Sequence, residues 1–188
     1  MLHLSTLQCQ ALEKAMPVRW QPNLALVHAP AGAWRSWLQE RGSLTQRLQQ
    51  QARSSFHVEL LQQRLVHLRT QELAQLGWSR QPVLVRQVLL HVDQQPWVYA
   101  RSLLPLVTSA PLYRRVRHLG NQALGQLLFS SADLQRGTFS YCAPHQLAFP
   151  SLWGRQSVFY QQQACVLVAE HFLPPMARAL NLASHSLV

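Results

Sequence analysis

The sequence predicts one α+β domain built on an antiparallel sheet, and three observations carry that expectation. The chain has 188 residues, 48% of them apolar and 13% charged, a length and composition that suit one compact core. Its apolar, β-branched runs follow one another through short turns, which favours antiparallel pairing. Its helical stretches gather in the first half and in the middle instead of alternating with strands, which argues against a doubly wound parallel sheet.

Residues 1–30 read as a loosely attached leader, with a short helical pattern at 7–14 and then a turn-rich stretch holding Pro17, Pro22 and Pro30. The domain proper is expected over 31–175. Trp34, Trp37 and Leu38 recur at helical spacing, and Gly42 supplies a stop. Ser43 is placed to cap a second helix running through Leu44, Thr45, Arg47 and Leu48, because its hydroxyl accepts a free N–H of the first turn. Residues 56–69 alternate poorly and allow two short strands or a strand and a turn.

The best hairpin is PVLVRQVLLHV (82–92), a turn at Asp93, Gln94 and Gln95, and then WVYARSLLP (97–105). Stretches 112–119 and 123–129 read as short helices broken at Gly120 and Asn121. Three further strands are expected at 134–142, 158–163 and 165–173, the last closed by Pro174 and Pro175. Residues 176–188 read as a tail that frays.

Composition excludes several function classes. Every apolar stretch is interrupted before it reaches the length of a membrane span, and the first 16 residues lack the basic-then-apolar order of a signal peptide. Three scattered cysteines, Cys9, Cys142 and Cys165, form neither a disulfide scaffold nor a CxxC metal site, which suits a reducing cytoplasm. The net charge of +10 comes from 17 Lys and Arg, all but one of them Arg, against seven acids. The one tight basic cluster, Arg114, Arg115, Arg117 and His118, has no interleaved aromatics, so it reads as a solvated helix face and not as a nucleic-acid surface. Excess arginine of this kind steers an anionic small molecule towards the protein. The nine histidines stand singly, so no metal is expected, and phosphate-binding loops, dinucleotide fingerprints and nucleophile elbows are absent.

Charges inside apolar strands are more informative, because a buried charge is costly unless a partner or ligand meets it. Arg86 shares a face with Leu84, Val88 and Leu90 in VLVRQVLL, and Glu170 interrupts VLVAEHF. Two readings are open. The pair forms a buried ion pair with no ligand, or both line a cavity, Arg86 as a fork for a carboxylate and Glu170 as a hydrogen-bonding or proton-handling group. Arg101, two residues after Tyr99, is either a third site residue or a solvated edge arginine.

At this point the chain resembles a known family. WLQERGSLTQRL (37–48), VRQVLLHVDQQPWVYARSLLP (85–105), ALGQLLFSS (123–131), LWGRQSVF (152–159) and LVAEHFLPP (167–175) are similar, in order and spacing, to segments of the chorismate pyruvate-lyases of ubiquinone biosynthesis. The resemblance implies one antiparallel-sheet domain with a site beneath two helical flaps. It implies cleavage of chorismate to 4-hydroxybenzoate and pyruvate, with no cofactor or metal, by a cytoplasmic monomer. Residue by residue, it places the carboxylate-binding arginine at Arg86, the site glutamate at Glu170, and flap backbone contacts at Leu44 and Leu124. Leu44 departs from the methionine common in the family, and APHQLAFP (143–150) has no clear counterpart.

Chorismate is a dianion, so two cationic contacts are expected, which Arg86 and Arg101 are taken to supply. Two other classes remain. One is a noncatalytic ligand-binding module like the effector domains of a bacterial regulator family, for which residues 1–30 are too short to hold the DNA-binding part. The other is an assembly protein acting through the basic cluster.

Overall fold

The computed structural model describes residues 20–23, 32–106, 110–130, 133–143, 153–161 and 164–182. The helical pattern expected at 7–14 and most of APHQLAFP lie outside them.

Two short helices open the described domain, α1 (Ala33–Leu38) and α2 (Leu44–Gln51). Trp34, Trp37 and Leu38 are all buried, as their spacing requires. The Ser43 hydroxyl accepts the N–H of Gln46 at 3.3 Å, so the expected cap forms. Gly42 is not the stop. α1 ends at Gln39, and the Gly42 N–H instead donates to Glu40 Oε1 at 2.8 Å.

Residues Phe56–His67 form one long strand, β1, paired with β2 (Pro82–Val92) and broken by a bulge between Leu60 and Gln62. That bulge, together with the edge position, explains the poor alternation seen in the sequence. A helix absent from the sequence reading, α3 (Thr70–Leu76), links the two and ends at Gly77 in the left-handed conformation.

β2 turns into β3 (Gln95–Pro105) through Asp93 and Gln94, both at positive φ, the geometry that matches the right-handed twist of a hairpin. The Asp93 carboxylate accepts N–H bonds from Arg53, Ser54 and Ser55 at 2.8–3.1 Å, which hold its pKa well below the carboxylate range and tie the turn to the end of α2. α4 (Ala110–Arg117) and α5 (Leu124–Phe129) follow, and then β4 (Gln135–Arg136), β5 (Ser140–Cys142), β6 (Trp153–Gln161), β7 (Ala164–Phe172) and α6 (Pro174–Ala179). The strand expected at 134–142 is thus two short ones.

The seven strands form one antiparallel sheet ordered β1-β2-β3-β7-β6-β4, with β5 also on β6. This is the expected α+β class. β2 and β3 are buried along almost their whole length, so both sheet faces are covered there. One face carries the main core, where Trp34, Trp37, Leu48, Val98, Trp153 and Phe172 pack together. Met176, Ala177 and Leu182, expected in a fraying tail, belong to that same cluster. The other face packs Val83, Val85 and Leu103 against Leu73 of α3.

Candidate active site

Register decides which side chains meet. Arg86 pairs across the ladder with Ser102, and Ser102 with Val168; Val88 pairs with Ala100, and Ala100 with Glu170. Directly opposed residues point to the same side of a sheet. Arg86 and Glu170 therefore face one side, two strands apart, a lateral separation of roughly 10 Å.

Between them lies a concave space, open in part to solvent and lined mostly by apolar side chains. Val88, Leu90, Ala100 and Val168 form its floor. Leu44 and Thr45 at the start of α2, and Leu124, Gly125 and Leu128 of α5, form its cover. The two helical turns approach closely, since a Cβ on Gly125 would stand 2.8 Å from Thr45 Oγ1. Four of the five residues singled out in the sequence line this space: Arg86, Glu170, Leu44 and Leu124.

Arg86 is 2% exposed, and burial pulls its pKa down. It does not pair with Glu170. Its Nη2 donates to the carbonyls of Gly120 at 2.8 Å and Gln122 at 3.0 Å, in the turn between α4 and α5, and its Nη1 donates to Gln63 Oε1 at 3.2 Å. Three of its five donors are thus engaged and no carboxylate meets it among the described residues, which leaves a cation with spare N–H groups inside an apolar space.

Glu170 is paired elsewhere. Arg155, fully buried on β6, donates from Nε to Glu170 Oε2 at 2.6 Å, and Arg136 Nη2 stands 3.9 Å from the same oxygen. Oε1 takes neither contact. Arg155 also bonds the carbonyls of Trp37 at 2.9 Å and Glu40 at 2.8 Å, while Arg136 bonds those of Arg41 at 3.1 Å and Gly42 at 3.2 Å. Each helical cover is therefore fastened at its turn by buried arginines of the same sheet face, α4–α5 by Arg86 and α1–α2 by Arg155 and Arg136.

Arg101 lies apart from these residues. It pairs across the ladder with Gln87 and Ala169, one residue out of step with Arg86, so its side chain leaves through the opposite face. It is neither a lining residue of the cavity nor a solvated edge arginine, being buried on a central strand near His171, whose pKa it helps to lower.

Sequence reasoning passed over Arg136 and Arg155. Arg155 carries a readable signal, since it shares the inward period-two face of Trp153, Ser157 and Phe159 and breaks the apolar pattern as Arg86 does. Arg136 lies in a two-residue strand, where no periodicity exists to be broken.

Fold and site together define a single α+β domain with a largely apolar pocket, bearing buried arginines, between the sheet and two helical covers. Its fold is shared with PhnF from Mycobacterium smegmatis, at a TM-score of 0.52 and 16% identity over 73% of this chain and 66% of that one. The effector domain of PhnF alone gives 0.50 and 17%, over 71% and 90%. At such identity the likeness is one of fold.

The chain belongs to the chorismate lyase family, whose model matches residues 14–179. Among its relatives are a probable chorismate pyruvate-lyase of Marinobacter nauticus, 38% identical over 158 residues and 82% of each chain, and one of Pseudoalteromonas atlantica, 38% identical over 172 residues, 84% of this chain and 87% of that one.

Proposed function

We propose that this protein is a chorismate pyruvate-lyase that forms 4-hydroxybenzoate and pyruvate without metal or organic cofactor, as a cytoplasmic monomer supplying ubiquinone synthesis. The observation that carries the reading is one buried, largely apolar cavity with an unpaired arginine at one end and a glutamate at the other.

In this reading the ring carboxylate of chorismate takes the remaining donors of Arg86. The ring then spans the floor towards Glu170, whose Oε1 meets the hydroxyl at the far end. Leu44 and Leu124 open α2 and α5, where first-turn N–H groups lack partners within the helix, so they suit the backbone contacts that the family resemblance assigns to them.

Breaking the ring C–O bond to the enolpyruvyl group, with loss of a ring hydrogen from the hydroxyl-bearing carbon, aromatises the ring. The departing enol gains a proton to become pyruvate. Aromatisation supplies the driving force, so the chain provides orientation, a dry cavity and charge stabilisation at the leaving oxygen.

Conversion of chorismate by the purified chain, with both products counted, is the test. The effector-domain likeness supports no rival reading, because it is one of fold.

A further inference from the structure

The charges around the cavity do not balance. Among its lining residues the only acid is Glu170 and the cations are Arg86 and Arg136, and Arg155 stands directly behind Glu170. Arg155, at 2.6 Å and with no exposure, neutralises Glu170 by itself. The adjacent Glu40 is taken by Arg47 at 3.3 Å on the outer side. Arg86 and Arg136 are therefore left as two uncompensated positive charges, one at each end of an apolar space.

Arg136 has the donors to use that charge. Nε is engaged by Ser157 Oγ at 2.9 Å and Nη1 by the carbonyls of Arg41 and Gly42. Nη2 makes no hydrogen bond among the described residues, its nearest carboxylate oxygen being Glu170 Oε2 at 3.9 Å. The guanidinium is held in place by the rings of Phe139 and Phe159, with centroids 4.5 and 4.6 Å away, so an incoming anion need not order it first. Its burial lowers its pKa to about 10, and it stays charged at neutral pH. Arg155 points the same way, since its own Nη2 is buried without an acceptor, so donors outnumber acceptors throughout this end of the site.

We propose that Arg136 is a second carboxylate-binding residue of the cavity, its Nη2 taking the enolpyruvyl carboxylate of chorismate while Arg86 takes the ring carboxylate. The inference rests on the lyase reading and extends it. The enolpyruvyl ether leaves the ring next to the hydroxyl-bearing carbon, so with the hydroxyl at Glu170 the second carboxylate falls on the Arg136 side. Two surplus positive charges then meet two carboxylates. A carboxylate moved into such a space without a cation bears the full desolvation cost. After cleavage the second carboxylate departs with pyruvate, and 4-hydroxybenzoate keeps only the contacts at Arg86 and Glu170.

The two ligands separate this role from that of a flap anchor, because chorismate carries both carboxylates and 4-hydroxybenzoate only one. KM and kcat for chorismate and the Kd for 4-hydroxybenzoate are measured for the full chain and for Arg136→Met and Arg136→Lys. The expected result for Arg136→Met is a KM raised roughly 30-fold or more, with the 4-hydroxybenzoate Kd moved by less than about threefold. Arg136→Lys keeps the charge and is expected to recover most of the KM.

Equal weakening of both ligands by both variants would mean that Arg136 only anchors the α1–α2 turn, and an unchanged KM in Arg136→Met would also overturn the proposal. If Arg136→Met does not fold, Arg136→Lys decides, since a mere anchor loses 4-hydroxybenzoate affinity on this change and a charge contact does not. A wild-type chain without lyase activity instead removes the reading beneath it.

Discussion

Arg86 and Glu170 face the same cavity from strands two apart and leave each other unpaired. Arg86 is held by the carbonyls of Gly120 and Gln122, and Glu170 by Arg155. A simple buried ion pair would have closed the space between them. Because each is fixed from behind, the two remain available to opposite ends of one ligand.

Different losses are expected at the two ends. Arg86→Ala removes the cation proposed to meet the ring carboxylate, so kcat/KM for chorismate should fall by roughly two orders of magnitude or more, with KM raised. Glu170→Ala should act mainly on kcat. Steady-state kinetics of the two variants check this, and full activity in both contradicts the site assignment.

Product retention is expected from the same two proposed contacts. 4-Hydroxybenzoate should bind tighter than benzoate by roughly tenfold or more, the value of a hydrogen bond to a charged acceptor. Glu170→Ala should erase the difference. Isothermal titration with both acids measures it, and equal affinities for the wild-type chain count against a hydroxyl contact at Glu170.

The close approach of the two covers depends on Gly125. An alanine Cβ there meets Thr45 Oγ1 at 2.8 Å, so α5 and α2 must part by a few tenths of an ångström. Gly125→Ala is expected to speed dissociation of 4-hydroxybenzoate on the order of tenfold, at a cost of ~1 kcal/mol in closure. Stopped-flow release kinetics read this directly, and an unchanged off-rate shows that the covers open elsewhere.

Stability should fall on acidification because of His171. Complete burial, aided by the nearby charge of Arg101, pulls its pKa from 6.5 to about 4, and the rings of Trp20 and Tyr99 stand beside it. The folded-state value is the lower one, so the unfolded chain binds the proton first as pH falls. The stabilisation is complete above about 6.5 and is lost towards 4, with a limit of roughly 3 kcal/mol. Burial also lowers the pKa of His91, which adds with the same sign. Urea midpoints at pH 7.5 and pH 5 should therefore differ, and His171→Gln should reduce the difference. A midpoint that holds steady in the wild-type chain contradicts this.

Periodicity made the long elements legible. The hairpin through Asp93 and Gln94, the Ser43 cap and the inward face of Arg86 all follow from local pattern. The site was half legible for a related reason. Arg86 and Glu170 stand out because they interrupt long apolar strands, whereas Arg136 lies on a strand of two residues with no pattern to interrupt.

Arg101 interrupts an apolar strand as conspicuously as Arg86, yet it faces the other way. Which face a residue takes depends on register with neighbouring strands, and the pairing of Arg101 with Gln87 and Ala169 exists only in the folded sheet. The α3 helix was missed because TQELAQL is short and follows a strand without a marked turn signal. Its cap comes from Glu72, whose carboxylate accepts from both the backbone N–H and the Nε of Arg69, an arrangement not among the usual capping pairs.

The most direct measurement is to mix the purified chain with chorismate in the presence of a metal chelator, with no nucleotide added, and follow both products over time. Equimolar 4-hydroxybenzoate and pyruvate are expected, with turnover that collapses in Arg86→Ala. Tight binding of chorismate or 4-hydroxybenzoate without turnover would contradict the lyase reading and leave a ligand-binding module on a lyase fold.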